Sequence, residues 1–145
     1  MENLQELLLK NGYRKIAFTV SKTQHLFLKA KINGISGDFI LDTGASNSCI
    51  DFSHIEHFNI EASDSNTKAS GAGANGMLTQ VSYQNKLQMG RWKNPKTDLI
   101  LLDLSHVNIA LKQYKAKTVH GIIGADVLLR GEALIDYKNK YLFLK

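Results

Sequence analysis

The chain has 145 residues, 43% of them apolar and 21% charged, a length and composition for one globular domain that buries roughly 68–70% of its unfolded surface. A lone cysteine, Cys49, excludes an intramolecular disulfide, no run reaches the roughly 18 apolar residues of a membrane helix, and the N-terminus lacks the features of a signal peptide; a soluble, cytoplasmic chain is expected. The formal charge of +5, from 18 basic and 13 acidic residues, would attract nucleic acid or an anionic surface, but no nucleic-acid motif accompanies it, and lysines on solvated turns and strand faces are the favoured reading.

Leu4, Leu7 and Leu8 recur at helical spacing within Met1 to Lys10, with Glu2 and Glu6 early and Lys10 late, and Asn11 and Gly12 stop the helix. This helix either packs on the rest of the chain or helps join two subunits. Packing is favoured, because so short a helix needs a surface to cover its leucines. From Tyr13 the period changes to two. Ile16, Phe18 and Val20 form one alternation and Leu26, Leu28, Ala30 and Ile32 a second. Asn33 with Gly34, then Ser36 with Gly37, supply turn chemistry ahead of an apolar strand, Phe39, Ile40 and Leu41. That strand runs into Asp42, Thr43, Gly44, Ala45 and Ser46, which sets a carboxylate at the lip of a buried strand.

Ser48 to Phe52 reads as a further strand, and Ser53 as the N-cap of a short helix carrying Ile55 and Phe58, with Glu56 at the capping-box position. Cys49, beside Ile50, reads as a buried thiol rather than a nucleophile. His54 and His57 are three residues apart, and neither His25, His106 nor His120 adds a ligand spacing. Structural or solvated histidines are favoured over a metal site, and no metal or cofactor is expected.

Ser63 to Lys68 is polar and reads as a loop. Ala69 to Met77, rich in glycine and alanine, can arch and move, and it lacks the lysine-serine or lysine-threonine ending of a phosphate-binding loop. Leu78 to Met89 and Thr97 to Leu104 read as strands. Their connection, Gly90 to Lys96, is expected to hold the sole proline, Pro95, in a turn, and Trp92 is either a packing residue or an exposed lid. Val107, Ala110, Leu111 and Tyr114 have helical spacing. Gly121, Ile122, Ile123, Gly124, Ala125 and Asp126 lead into a helix that stops near Gly131, and Leu134 to Tyr137 and Tyr141 to Leu144 form a closing hairpin. Strands dominate without regular strand-helix alternation, so the fold class is all-β, a barrel with a few short helices.

The Asp42-Thr43-Gly44-Ala45 turn resembles the active-site signature of aspartic proteases, and its alanine is similar to that of the retropepsin-like branch, here as a bacterial-type single-domain member. Ile122, Ile123 and Gly124 resemble the hydrophobic-hydrophobic-glycine element beside the catalytic loop of that family. The resemblance covers roughly Lys15 to Lys145. It implies a closed acid-protease barrel, one lobe per chain, with residues 13–145 as a single protease domain and 1–12 as a helical extension.

The same resemblance implies Asp42 as the catalytic carboxylate, Thr43 as a tie between two catalytic loops across a dimer axis, and Gly44 as an amide donor to the carboxylate. Gly73, Ala74, Asn75 and Gly76 become the tip of a substrate-covering flap. Ile122 and Ile123 either line substrate subsites or pack behind the loop. Hydrolysis of this kind needs two carboxylates sharing a proton, and one signature is present, so a homodimer acting on an extended peptide or protein is implied, with Asp126 in a structural position. Ala45 adds no side-chain hydrogen bond, so activity is expected at mildly acidic to near-neutral pH. The alternative is a catalytically silent or latent protease-like module that binds peptides or another protein.

Overall fold

The structure, a computed structural model, describes residues 3–69 and 77–145. Helix α1 (Leu4–Lys10) begins where the Asn3 side chain accepts a hydrogen bond from Glu6 N at 2.8 Å, and it ends at Asn11 and at Gly12, whose φ is 90°. Only Leu8 is buried. Leu4 and Leu7 are 58% and 45% exposed, so one leucine of the expected stripe is covered.

Strands β1 (Arg14–Ala17), β2 (Thr19–Val20), β3 (Leu26–Ile32) and β4 (Ile35–Leu41) follow. Leu26, Leu28, Ala30 and Ile32 of β3 all point inward, as their alternation predicts. The β3–β4 turn is Asn33 and Gly34 alone, both at positive φ. Ser36 and Gly37, expected in a turn, lie inside β4; a Cβ on Gly37 would come within 2.7 Å of the Phe58 ring, so this glycine admits an aromatic rather than bending the chain.

Strand β5 (Cys49–Asp51) leads into one 3-10 turn, Phe52–His54, capped by Asp51, which accepts from Ser53 N at 2.9 Å. Ser53 is therefore the capped residue and not the cap. Strand β6 (Ser63–Ala69) replaces the expected loop: it is the outermost strand of its sheet, paired only with β7 (Met77–Met89), and an edge strand needs no apolar period. β7 and β8 (Trp92–Leu102) are joined through Gly90 and Arg91. Pro95 lies within β8 at a bulge, where three steps from Thr97 to Asn94 match two from Asn85 to Leu87, a place where a missing N–H is tolerated. Trp92 is buried, with Nε1 donating to the Lys145 carbonyl at 3.2 Å.

Helix α2 (Ser105–Gln113), strand β9 (Gly121–Ile123), helix α3 (Ala125–Arg130) and strands β10 (Leu134–Asp136) and β11 (Tyr141–Leu144) complete the chain. The larger sheet runs β2-β3-β4-β9-β5-β8-β7-β6. Pairing of β3 with β7 at Lys31–Gln88 and Ile32–Leu87 closes β3, β4, β9, β5, β8 and β7 into a barrel. Its interior is filled by fully buried side chains, among them Ile32, Phe39, Ile50, Phe58, Leu101 and Ile123. A second apolar cluster, containing Ile40, Cys49, Leu104, Leu111, Val119 and Ile122, lies under α2. A separate sheet, β1-β11-β10, gathers the two ends of the chain. No helix among the described residues is long and apolar enough to cross a membrane.

Candidate active site

Asp42 is placed by a parallel pairing that joins distant segments. β4 and β9 pair as Phe39–Gly121, Ile40–Ile122 and Leu41–Ile123, so the chain leaves the core at Asp42 on one strand and at Gly124 on the other. Asp42 N donates to the Ile123 carbonyl at 2.9 Å, which fixes the first residue of the turn. Gly44 N then donates to Asp42 Oδ1 at 2.9 Å, and Ala45 N to the Asp42 carbonyl at 3.2 Å. The carboxylate is half-buried with one backbone donor on it, while Thr43 and Gly44 are exposed at the crest.

Close approach explains the second glycine. A Cβ on Gly124 would lie 2.6 Å from the Ala45 carbonyl oxygen and 3.0 Å from Asn47, so only glycine fits between strand and turn. Ala125 N donates to that same carbonyl at 2.7 Å. Below the turn, Gly124 N donates to Ser48 Oγ at 2.8 Å, and Ser48 donates its hydroxyl and amide to Asp126 Oδ1 at 2.8 and 3.0 Å. Asp126 thus ties the two loops together from behind. Sequence spacing gave no sign of Ser48, whose role depends on a partner 78 residues away.

Ile123 is fully buried in the barrel and Ile122 is buried in the cluster under α2. Gly73 to Gly76, the expected flap tip, lie outside the described residues. Cys49 is 4% exposed, and burial pushes its thiol up to about 12, so it stays protonated at neutral pH and offers no nucleophile. Asp51 is a structural acid: it accepts from Leu104 N at 2.6 Å and from the Ser53 amide and hydroxyl. Burial opposes its charge, but those donors hold its carboxyl below the usual range.

The histidines gather in a way that spacing did not reveal. His120 lies 4.5 Å from the His54 ring and 5.4 Å from the His57 ring, centroid to centroid. Its Nδ1 accepts from Asp38 N at 3.0 Å, its own amide donates to the Asp38 carbonyl at 2.8 Å, and its carbonyl accepts from Asp51 N at 3.0 Å. Burial, and then the two neighbouring imidazoles, lower its pKa. Asp38 is held by Lys29 at 2.5 Å and Lys117 at 2.9 Å. Among the described residues no group of three His, Cys, Asp or Glu side chains is arranged to hold a metal.

A groove of about 570 Å³ opens between the turn at Lys22 to His25 and the face of α2 bearing His106, Val107, Leu111 and Tyr114. None of the residues of the carboxylate turn lines this groove, whose strand-side residues, Lys22, Thr23 and His25, precede β3.

A closed barrel in which an Asp-Thr-Gly-Ala turn is buttressed by an Ile-Ile-Gly strand defines an aspartic-protease type of lobe. The family model described as aspartyl protease matches residues 28–127, and the chain belongs to that family. Solved structures share its retropepsin-like fold. They include a retropepsin-like aspartic protease from Rickettsia conorii (TM-score 0.59, 18% identity, 92% of this chain and 89% of that one) and the EIAV protease in complex with the inhibitor HBY-793 (TM-score 0.56, 20% identity, 77% and 91%). The retroviral protease-like domain of Ddi1 from Leishmania major is also similar (TM-score 0.55, 16% identity, 83% and 88%). A search of curated proteins gives no significant match.

Proposed function

We propose that this chain is one half of an aspartic endopeptidase, in which two copies bring Asp42 together with Asp42 of the second copy. The observation that carries the reading is the Asp42 carboxylate, held by Gly44 N at the open end of β4 while Asp126 is engaged with Ser48. Thr43, exposed beside it, is the residue we assign to the contact between the two loops. Residues 13–145 act as one catalytic domain with 1–12 as an extension, and Gly73, Ala74, Asn75 and Gly76 are assigned to the flap.

In the reaction, one carboxylate of the pair is ionised and the other protonated. The ionised group takes a proton from water as the water oxygen bonds to the scissile carbonyl carbon, and the protonated group gives its proton to the carbonyl oxygen. Collapse of the resulting diol, with a proton passed to the amide nitrogen, breaks the C–N bond and leaves a carboxylic acid and an amine. An extended peptide is the substrate this chemistry would take, its backbone along strand edges and its side chains alternating into pockets.

The test is cleavage of an unfolded protein from acidic to neutral pH, with the native chain and Asp42→Asn at matched concentrations. Cleavage by the native chain alone, with specific rate rising with protein concentration, supports the reading. No cleavage at any pH or concentration moves it to a latent or silent peptide-binding module.

A further inference from the structure

We propose that a polar cleft of about 230 Å³ between β8, α3 and Asn47 is a binding site for an aliphatic carboxylate, with Asn94 Nδ2, Arg130 and Lys96 as its donors. The proposal stands apart from the catalytic reading, since no step of peptide hydrolysis uses these side chains.

The observation that points to a ligand is a buried donor with no acceptor. Asn94 is 8% exposed, and its Oδ1 accepts from Lys96 N at 3.0 Å, which fixes the orientation of the side-chain amide. Nδ2 is therefore the donor end, buried and without a hydrogen-bond partner, on a side chain that lines the cleft. An unpaired buried donor is costly, and an acceptor oxygen brought beside it recovers that loss.

The bulge at Pro95 organises the rest. Thr97 Oγ1 donates to the Asn94 carbonyl at 3.3 Å and Arg130 Nη1 to the Lys96 carbonyl at 2.9 Å, so the guanidinium at the end of α3 is held against the same short segment. Among the described residues neither Arg130 nor Lys96 has a carboxylate partner. Two acids also line the cleft, and both are engaged within the chain. Asp98 Oδ1 accepts from Gln84 N at 3.0 Å, and Asp126 Oδ1 accepts from the amide and hydroxyl of Ser48. These acids set the class of ligand. Two cations against two acids leave the lining without net formal charge, which disfavours a dianion such as phosphate, while one planar carboxylate can take Arg130 and Asn94 Nδ2 on its two oxygens. Ile100 and Val127 supply an apolar wall for a short aliphatic side chain. Such a carboxylate belongs either to a free small acid or to the C-terminus of a peptide.

The experiment follows amide chemical shifts of the isotope-labelled full chain at neutral pH. It is titrated with N-acetylvaline, N-acetylvaline amide, inorganic phosphate, and the peptide acetyl-Ala-Ala-Val with a free C-terminus. N-acetylvaline is expected to saturate shifts at the Asn94 side-chain amide and at Lys96 and Thr97 with a Kd below about 10 mM, and the amide to bind about ten-fold more weakly or less. Asn94→Asp keeps the acceptor for Lys96 N and turns the donor into a charged acceptor; it and Arg130→Gln should each weaken binding about ten-fold or more. Lys93→Gln removes an exposed cation of β8 that does not line the cleft and should stay within about two-fold of native. Urea denaturation reports the fold of each variant, and its midpoint should rise when N-acetylvaline is added to the native chain. Binding of the peptide about ten-fold tighter than N-acetylvaline identifies a peptide C-terminus, and equal or weaker binding a free small acid; either result supports the site. Absence of saturable shifts below about 10 mM with both acids, equal binding of the amide, tighter binding of phosphate, or an unchanged affinity in folded Arg130→Gln overturns it.

Discussion

Gly124 is a glycine because two loops cross behind Asp42 with no space for a Cβ, and Ser48 is a serine because its hydroxyl bridges the Gly124 amide and Asp126. In Gly124→Ala the new methyl meets the Ala45 carbonyl, a backbone atom that cannot rotate away, so a loss of about 1–3 kcal/mol is expected, read as a lower urea midpoint. A variant as stable as the native chain would show that the turn relaxes freely. Ser48→Ala strands the Gly124 amide and removes the hydroxyl donor to Asp126, leaving only the backbone amide of residue 48 on that carboxylate, and a loss of about 1–3 kcal/mol is expected in the same denaturation. Cys49, buried and held as a thiol, should resist thiol reagents in the native state and react only on unfolding. Rapid modification without loss of structure would contradict that.

At the scale of elements, the joint of β4, β9 and β5 passes through His120. Its folded pKa lies below the ordinary histidine value of 6.5, so the unfolded chain binds more protons as pH falls through that value, and acid favours unfolding. The neighbours divide: His54 and His57 disfavour the charged imidazole, while Asp38, itself paired with Lys29 and Lys117, favours it. Protonation at Nδ1 would also remove the acceptor for Asp38 N. Stability is therefore expected to be fully present above pH 6.5 and to decline below it. His120→Asn, which keeps an acceptor without a titrating group, should flatten urea midpoints measured between pH 7.5 and 5.5; an unchanged slope would assign the effect elsewhere. Asp51 adds a separate loss in stronger acid. Its folded pKa is depressed, so its contribution is present above 3.8 and fades as pH falls through the lower folded value.

For the whole molecule, the single Asp-Thr-Gly-Ala turn leads to one expectation: activity appears with assembly. Specific cleavage rate should rise with protein concentration and then saturate. Measuring initial rates across a dilution series checks both. A rate strictly proportional to protein from the lowest dilution would mean a site complete in one chain.

The alternation in β3, the Asn33-Gly34 turn, the stop at Asn11 and Gly12, and the two short motifs were legible because each depends on neighbours within a few residues, where periodicity and turn chemistry act. The reading failed where a distant partner decided the outcome. Ser36 and Gly37 are strand because Phe58 packs over them, Ser63 to Ala69 is strand because β7 supplies its hydrogen bonds, and Pro95 sits at a bulge that only the register of β7 against β8 creates. By itself the sequence determined the kind of fold and the residue at the centre of the candidate site. Tertiary structure decided what surrounds it: the barrel closure between β3 and β7, the Ser48–Asp126 tie and the histidine cluster. Those features are contacts between segments far apart along the chain, and no local pattern encodes which of them will meet.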